Sequence, residues 1–123
     1  MIKRIIAYVE GTDDAATRDF YVNVLGLDVA MDDPVLGLRG PGDPSGQVLV
    51  LPPGSTEPVP RWGIDLGELA AVERAHAEAV RRGLRVVYPL TDESWGVRRF
   101  FVEDPGGTVV NVLAHVTGSS RTE

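Results

Sequence analysis

Apolar positions along the chain fall into short runs, and their spacing changes from one stretch to the next. Residues 2–10 (IKRIIAYVE), 27–31, 35–39 and 47–51 are brief, rich in β-branched or apolar residues, and bounded by Asp-Asp-Pro and Gly-Pro-Gly-Asp-Pro turn signals, a pattern that predicts strands. Between the first two, Thr12, Asp13 and Asp14 offer N-cap side chains and first-turn acids for a helix carrying Phe20, Val24 and Leu25 on one side. Gly26 ends that helix. The Pro-rich stretch 52–60 (PPGSTEPVP) can neither pair in a central strand nor continue a helix, so it reads as a linker. The order then recurs: a strand over 61–66, a helix over 68–82 closed by Gly83, and strands over 84–88, 97–103 and 108–116.

Two local matches support an internal duplication. VLGLDV at Val24–Val29 corresponds to RRGLRV at Arg81–Val86, and DPSGQVLVL at Asp43–Leu51 to DPGGTVVNV at Asp104–Val112. Both occur in the same order, and the period is longer than that of most solenoid repeats, so a pseudo-symmetric pair of modules is expected rather than an array. With 123 residues the two modules must share one core or one interface. The expected fold is α+β: two βαβββ modules, 1–51 and 61–116, forming a cupped mixed sheet around a cavity, followed by a frayed tail over 117–123.

Composition narrows the chemistry. The chain has no Cys, which removes thiol catalysis, disulfides and Cys-based metal sites. Its formal charge of -6 and lack of any Lys/Arg run argue against a nucleic-acid partner. No apolar run approaches the roughly 20 residues that span a bilayer, and residues 1–10 lack the apolar segment of a signal peptide. The expectation is a cytoplasmic protein with no membrane partner.

RDFYVNVLGLDV, Arg18–Val29, resembles the helix-to-strand signature of the vicinal oxygen chelate superfamily, the glyoxalase, bleomycin-resistance and dioxygenase fold. WGVRRFFVEDPGGTVVNVL, Trp95–Leu113, is similar to its C-terminal hairpin, and most of all to that of bleomycin-resistance proteins. Glu68, His76 and Gly83 fall where the second helix of many members carries an acid, a His and its closing Gly. Metal-dependent members place His or Glu at one cavity-facing position on the first and last strands of each module. Counting from the helices and the Asp-Pro turns puts those positions at Ile6, Val50, Arg61 and Asn111. Aliphatic side chains offer no lone pair and Arg repels a cation, so the resemblance implies a member without a metal or other cofactor, Asp65 being the nearest substitute ligand.

Alternation along the first strand groups Tyr8 and Glu10 with Ile6 on the cavity side. On the hairpin it groups Arg99, Phe101 and Glu103, facing Val109, Asn111 and Leu113. Trp95 is expected on a loop at the mouth, Trp62 in the core, and His76 and His115 in structural roles. Tyr8, Glu10, Trp95, Arg99, Phe101, Glu103 and Asn111 are therefore the candidate ligand-binding residues, with no catalytic residue among them. The expected function is metal-independent binding of an aromatic or cationic antibiotic-like molecule by sequestration, in a homodimer. The alternative is a glyoxalase- or dioxygenase-like lyase, isomerase or oxygenase of the same superfamily, either metal-dependent or metal-free with Arg99 or Glu10 as the acid–base group.

Overall fold

The computed structural model describes residues 2–55 and 58–116. The tail 117–123 and two linker positions lie outside the described residues. The strands are β1 (Arg4–Glu10), β2 (Asp28–Met31), β3 (Leu36–Gly40), β4 (Asp43–Leu51), β5 (Trp62–Asp65), β6 (Val86–Glu93), β7 (Val97–Glu103) and β8 (Val109–His115). They form one mixed sheet in the order β2-β3-β4-β1-β5-β8-β7-β6. Within each half the first and last strands run parallel, and β1 pairs antiparallel with β5. That pairing joins the halves within one chain and gives the cupped α+β sheet that the sequence predicts.

Each half carries one helix on its outer face, and the two helices differ in quality. α2 (Leu69–Arg81) is a regular Ala-rich helix whose Val72 and Ala79 are buried against Phe100, Val110, Val112 and Ala114. Burial of each large apolar side chain there contributes about 1.5–3 kcal/mol. The first helix begins regularly as α1 (Ala15–Arg18), with the Asp14 carboxylate accepting from the Thr17 N–H at 2.9 Å. It then passes into a π-helical segment, Asp19–Val24, in which the Leu25 N–H reaches back five residues to the Phe20 carbonyl.

The wider turn changes which side chains face the sheet. The expected inward residues Phe20, Val24 and Leu25 are 48%, 65% and 55% exposed, while Tyr21, Val22 and Leu27 pack against Leu36, Leu38 and Val50. The sequence reading assumed 3.6 residues per turn throughout and so assigned the wrong face. Two strand boundaries also differ. β4 begins at Asp43, directly after the Gly40 turn, and β6 runs on to Glu93 across two register shifts near Pro89, where a loop was expected. Pro89 has no N–H to give, which fits its place at such an irregularity.

The inner face holds a separate apolar cluster of Ile6, Tyr8, Leu49, Val97 and Leu113, flanked by Met31, Val35 and Leu51.

Candidate functional site on the concave face

Strand register places the side chains of the inner face in rows. Gln47, Ile6, Gly63, Asn111 and Phe101 stand side by side across five strands, and the next row contains Arg4, Asp65, Leu113 and Arg99. Three polar constellations occupy these rows.

In the first, Asp65 is fully buried and pairs with Arg4, whose side chain is 9% exposed; Arg4 Nε donates to Asp65 Oδ2 at 3.0 Å. The Gly67 N–H donates to the other carboxylate oxygen at 2.9 Å. His115 Nδ1 lies 3.0 Å from Arg4 Nη2 and 3.4 Å from Asp65 Oδ2. Burial by itself raises the Asp65 carboxyl pKa, but the contacts with His115, Arg4 and the Gly67 N–H outweigh it and bring it down to about 2.

In the second, Asn111 Nδ2 donates to Tyr8 Oη at 2.8 Å. Tyr8 lies across the sheet over Gly63, and a Cβ on Gly63 would stand 2.6 Å from Tyr8 Oη and 3.0 Å from its ring. Glycine is required there to leave room for the phenol. Gly63→Ala is expected to cost about 1–3 kcal/mol by displacing the ring. Urea denaturation checks this, and most of the loss should return when Tyr8→Leu is added.

In the third, Arg99 Nε donates to Glu93 Oε2 at 2.7 Å, and the same oxygen accepts from Tyr88 Oη at 2.6 Å. The Arg99 guanidinium stands 5.0 Å from the Phe101 ring centroid, 5.2 Å from Tyr88 and 5.3 Å from Trp95. Tyr88 and Phe101 stack at 4.7 Å. Attraction of a cation to ring faces and the Glu93 carboxylate together hold this cluster.

The structure thus brings Tyr8, Arg99, Phe101 and Asn111 together on the inner face. Trp95 sits at its rim, 38% exposed, in the turn between β6 and β7. Glu10 shares the parity of Ile6 and Tyr8 but lies at the exposed end of β1. Glu103 is half-buried at the end of β7, with its carboxylate 3.7 Å from Arg85 Nε. Trp62 is half-buried against the outer cluster under α2, and His76 packs edge-on against Phe100 at 5.0 Å.

Arg4, Gln47, Gly63, Tyr88 and Glu93 were not among the residues expected at the site, and Asp65 entered only as a substitute ligand. Arg4 was legible, since it alternates with Ile6 and Tyr8. Tyr88 and Glu93 were not, because the irregularities in β6 break simple alternation.

Two of the four counted metal positions shift. Val50 lies under the first helix with Leu36 and Leu38, and Gln47 is the β4 residue beside Ile6. Arg61 precedes β5 and is exposed, while Gly63 is the β5 partner of Ile6. The corrected row of Ile6, Gln47, Gly63 and Asn111 contains two amides, an aliphatic side chain and no side chain at all. No group of three or more His, Asp or Glu that could hold a metal occurs among the described residues. Asp65 already has a buried guanidinium beside it, so a divalent ion does not fit this donor set.

The sequence profile of the glyoxalase/bleomycin resistance protein/dioxygenase superfamily matches residues 5–112, and the chain belongs to that superfamily. Among curated proteins, none is significantly similar in sequence. Among solved structures, the chain is similar to a superfamily member from Vibrio splendidus, with a TM-score of 0.60 and 18% identity over 93% of this chain and 99% of that one. It is similar to a variant of homoprotocatechuate 2,3-dioxygenase from B. fuscum, with a TM-score of 0.68 and 26% identity over 94% of this chain. It spans only 33% of that dioxygenase. Methylmalonyl-CoA epimerase from Mycobacterium tuberculosis aligns with a TM-score of 0.63 and 17% identity over 94% of this chain and 87% of that one. No helix among the described residues is long and apolar enough to cross a membrane.

Proposed function

We propose that this chain is a metal-independent small-molecule binding protein of the bleomycin-resistance type, which takes its ligand into the cup and acts by sequestration. The observation that carries the reading is the central row of the inner face. Where metal-dependent relatives need anionic or imidazole ligands, this chain has Ile6, Gln47, Gly63 and Asn111, yet the amide oxygens of Gln47 and Asn111 are buried without a partner among the described residues. Buried polar groups are nearly always paired, so these atoms are suited to receiving a bound molecule.

Tyr8, Arg99, Phe101 and Asn111 would form the floor, and Trp95 the exposed aromatic rim. Glu10 and Glu103, at the far ends of β1 and β7, would supply a negative approach. Such a protein lowers free ligand by mass action and needs no turnover. The reading includes a cytoplasmic location and a homodimer, although all eight strands of the sheet come from one chain.

Titration of a panel of aromatic antibiotics is expected to quench Trp95 emission and saturate at one equivalent per chain, with Trp95→Phe losing the response. The reading is overturned if no compound alters emission or melting temperature. It is also overturned if the purified protein takes up nickel, zinc, manganese or iron stoichiometrically and tightly.

A further inference from the structure

Three buried polar atoms have no hydrogen-bond partner among the described residues: Gln47 Oε1, Asn111 Oδ1 and His115 Nε2. All three side chains share the parity of the inner face on β4 and β8. Gln47 and Asn111 flank Ile6 and Gly63, and the Tyr8 phenol lies over Gly63. Asn111 Nδ2 is committed to Tyr8, which turns Oδ1 away from the phenol.

The Arg4 contact bears on where the His115 proton sits. A guanidinium only donates, and Arg4 Nη2 stands 3.0 Å from His115 Nδ1, so that nitrogen accepts. Asp65 Oδ2 lies farther from the same nitrogen, at 3.4 Å. With Nδ1 accepting, a neutral ring carries its proton on Nε2, and the unpartnered group is an N–H donor. The inner face therefore presents two buried acceptors and one buried donor.

The charges around them are already matched. Arg4 is paired with Asp65 and Arg99 with Glu93. A charged ligand would be desolvated in a floor whose opposite charges are bound to one another, and neutral hydrogen bonds do not repay that cost.

We infer that the molecule held in the cup is uncharged and amide- or urea-bearing, donating N–H groups to Gln47 Oε1 and Asn111 Oδ1 and accepting from His115 Nε2–H. This names the ligand class for the binding function proposed above and rests on it. An amide carries both N–H donors and a carbonyl acceptor in one neutral planar unit. A ketone or ether lacks the donors, and an amine or carboxylate brings charge.

The test uses isotope-labelled full-length protein and three probes: N-acetylglycinamide, which is neutral, glycinamide, which is cationic, and N-acetylglycine, which is anionic. The neutral diamide is expected to shift the side-chain amide signals of Gln47 and Asn111 and the Nε2–H signal of His115, with saturation. Gln47→Leu should weaken that binding about three- to tenfold, the worth of one net hydrogen bond. The same variant should raise the melting temperature of the free protein, since it removes an unpaired buried amide.

Protonation of His115 at Nδ1, or tighter binding of either charged analogue, overturns the inference. If Trp95 emission responds to the antibiotic panel while no probe moves these three groups, the ligand class is wrong and the binding function stands. Silence in both measurements removes both.

Discussion

Replacement of Asp65 by Ala is expected to lower stability by about 3–5 kcal/mol, because it leaves the Arg4 guanidinium buried and uncompensated. The pair lies almost wholly out of water, with side-chain exposures of 9% and 1%. Against a typical total of about 5–15 kcal/mol, that loss leaves a marginal fold, and a fall in melting temperature on the order of 10 °C or more should follow.

The double replacement Arg4→Met with Asp65→Leu separates an uncompensated charge from a lost contact. It should recover most of the stability, since a buried ion pair exchanged for apolar side chains is often near neutral. A double variant as unstable as Asp65→Ala would show that the pair itself, and not the orphaned cation, carries the energy.

The same carboxylate predicts an acid limb. Its folded pKa of about 2 lies below the ordinary value of 3.8, so its contribution is fully present above about pH 4. That contribution is lost as pH falls through about 2. Urea midpoints measured between pH 5 and pH 2 should decline, and the part of the decline due to Asp65 should be missing in Asp65→Asn.

Phe101→Ala is expected to cost a similar about 3–5 kcal/mol. Phe101 is fully buried, stacked on Tyr88 and capped by Arg99, so its removal opens a void under a guanidinium. Trp95→Ala, at 38% exposure on the rim, should change stability by less than about 1 kcal/mol and act on ligand affinity instead. Thermal melts of the two variants beside emission titrations distinguish a structural aromatic from a binding one. A stable Phe101→Ala would mean that the cup repacks easily and that its floor is not rigid.

Much of this architecture was legible because it depends on local rules. Strand alternation in β1, β7 and β8 put Tyr8, Arg99, Phe101 and Asn111 on one face, and the register confirms that grouping. Asp14 caps the first helix as its position before the apolar run suggested. Val50 was misplaced because counting onward from an Asp-Pro turn fixes a strand's phase only when the strand start is known, and β4 starts earlier than its apolar run. The exposure of Phe20, Val24 and Leu25 was not readable either, since nothing local announces a π-helical turn.

The pairing of polar groups lay further out of reach. Arg4 and Asp65 are 61 positions apart, Arg4 and His115 are 111 apart, and Tyr8 and Asn111 are 103 apart. Sequence periodicity assigns each to a face but says nothing about which neighbour it meets.

By itself, the sequence determined the strand and helix order with its recurrence, the superfamily signature and the inward set on three strands, because those follow from dihedral preference and side-chain period within a few residues. Only the tertiary structure decided that β1 meets β5 within one chain. It alone showed that Gln47 and Gly63, rather than Val50 and Arg61, complete the central row, and that Arg4 pairs with the buried Asp65 and meets His115 Nδ1. Those outcomes depend on register between distant strands and on desolvation, which exist only once the sheet has closed.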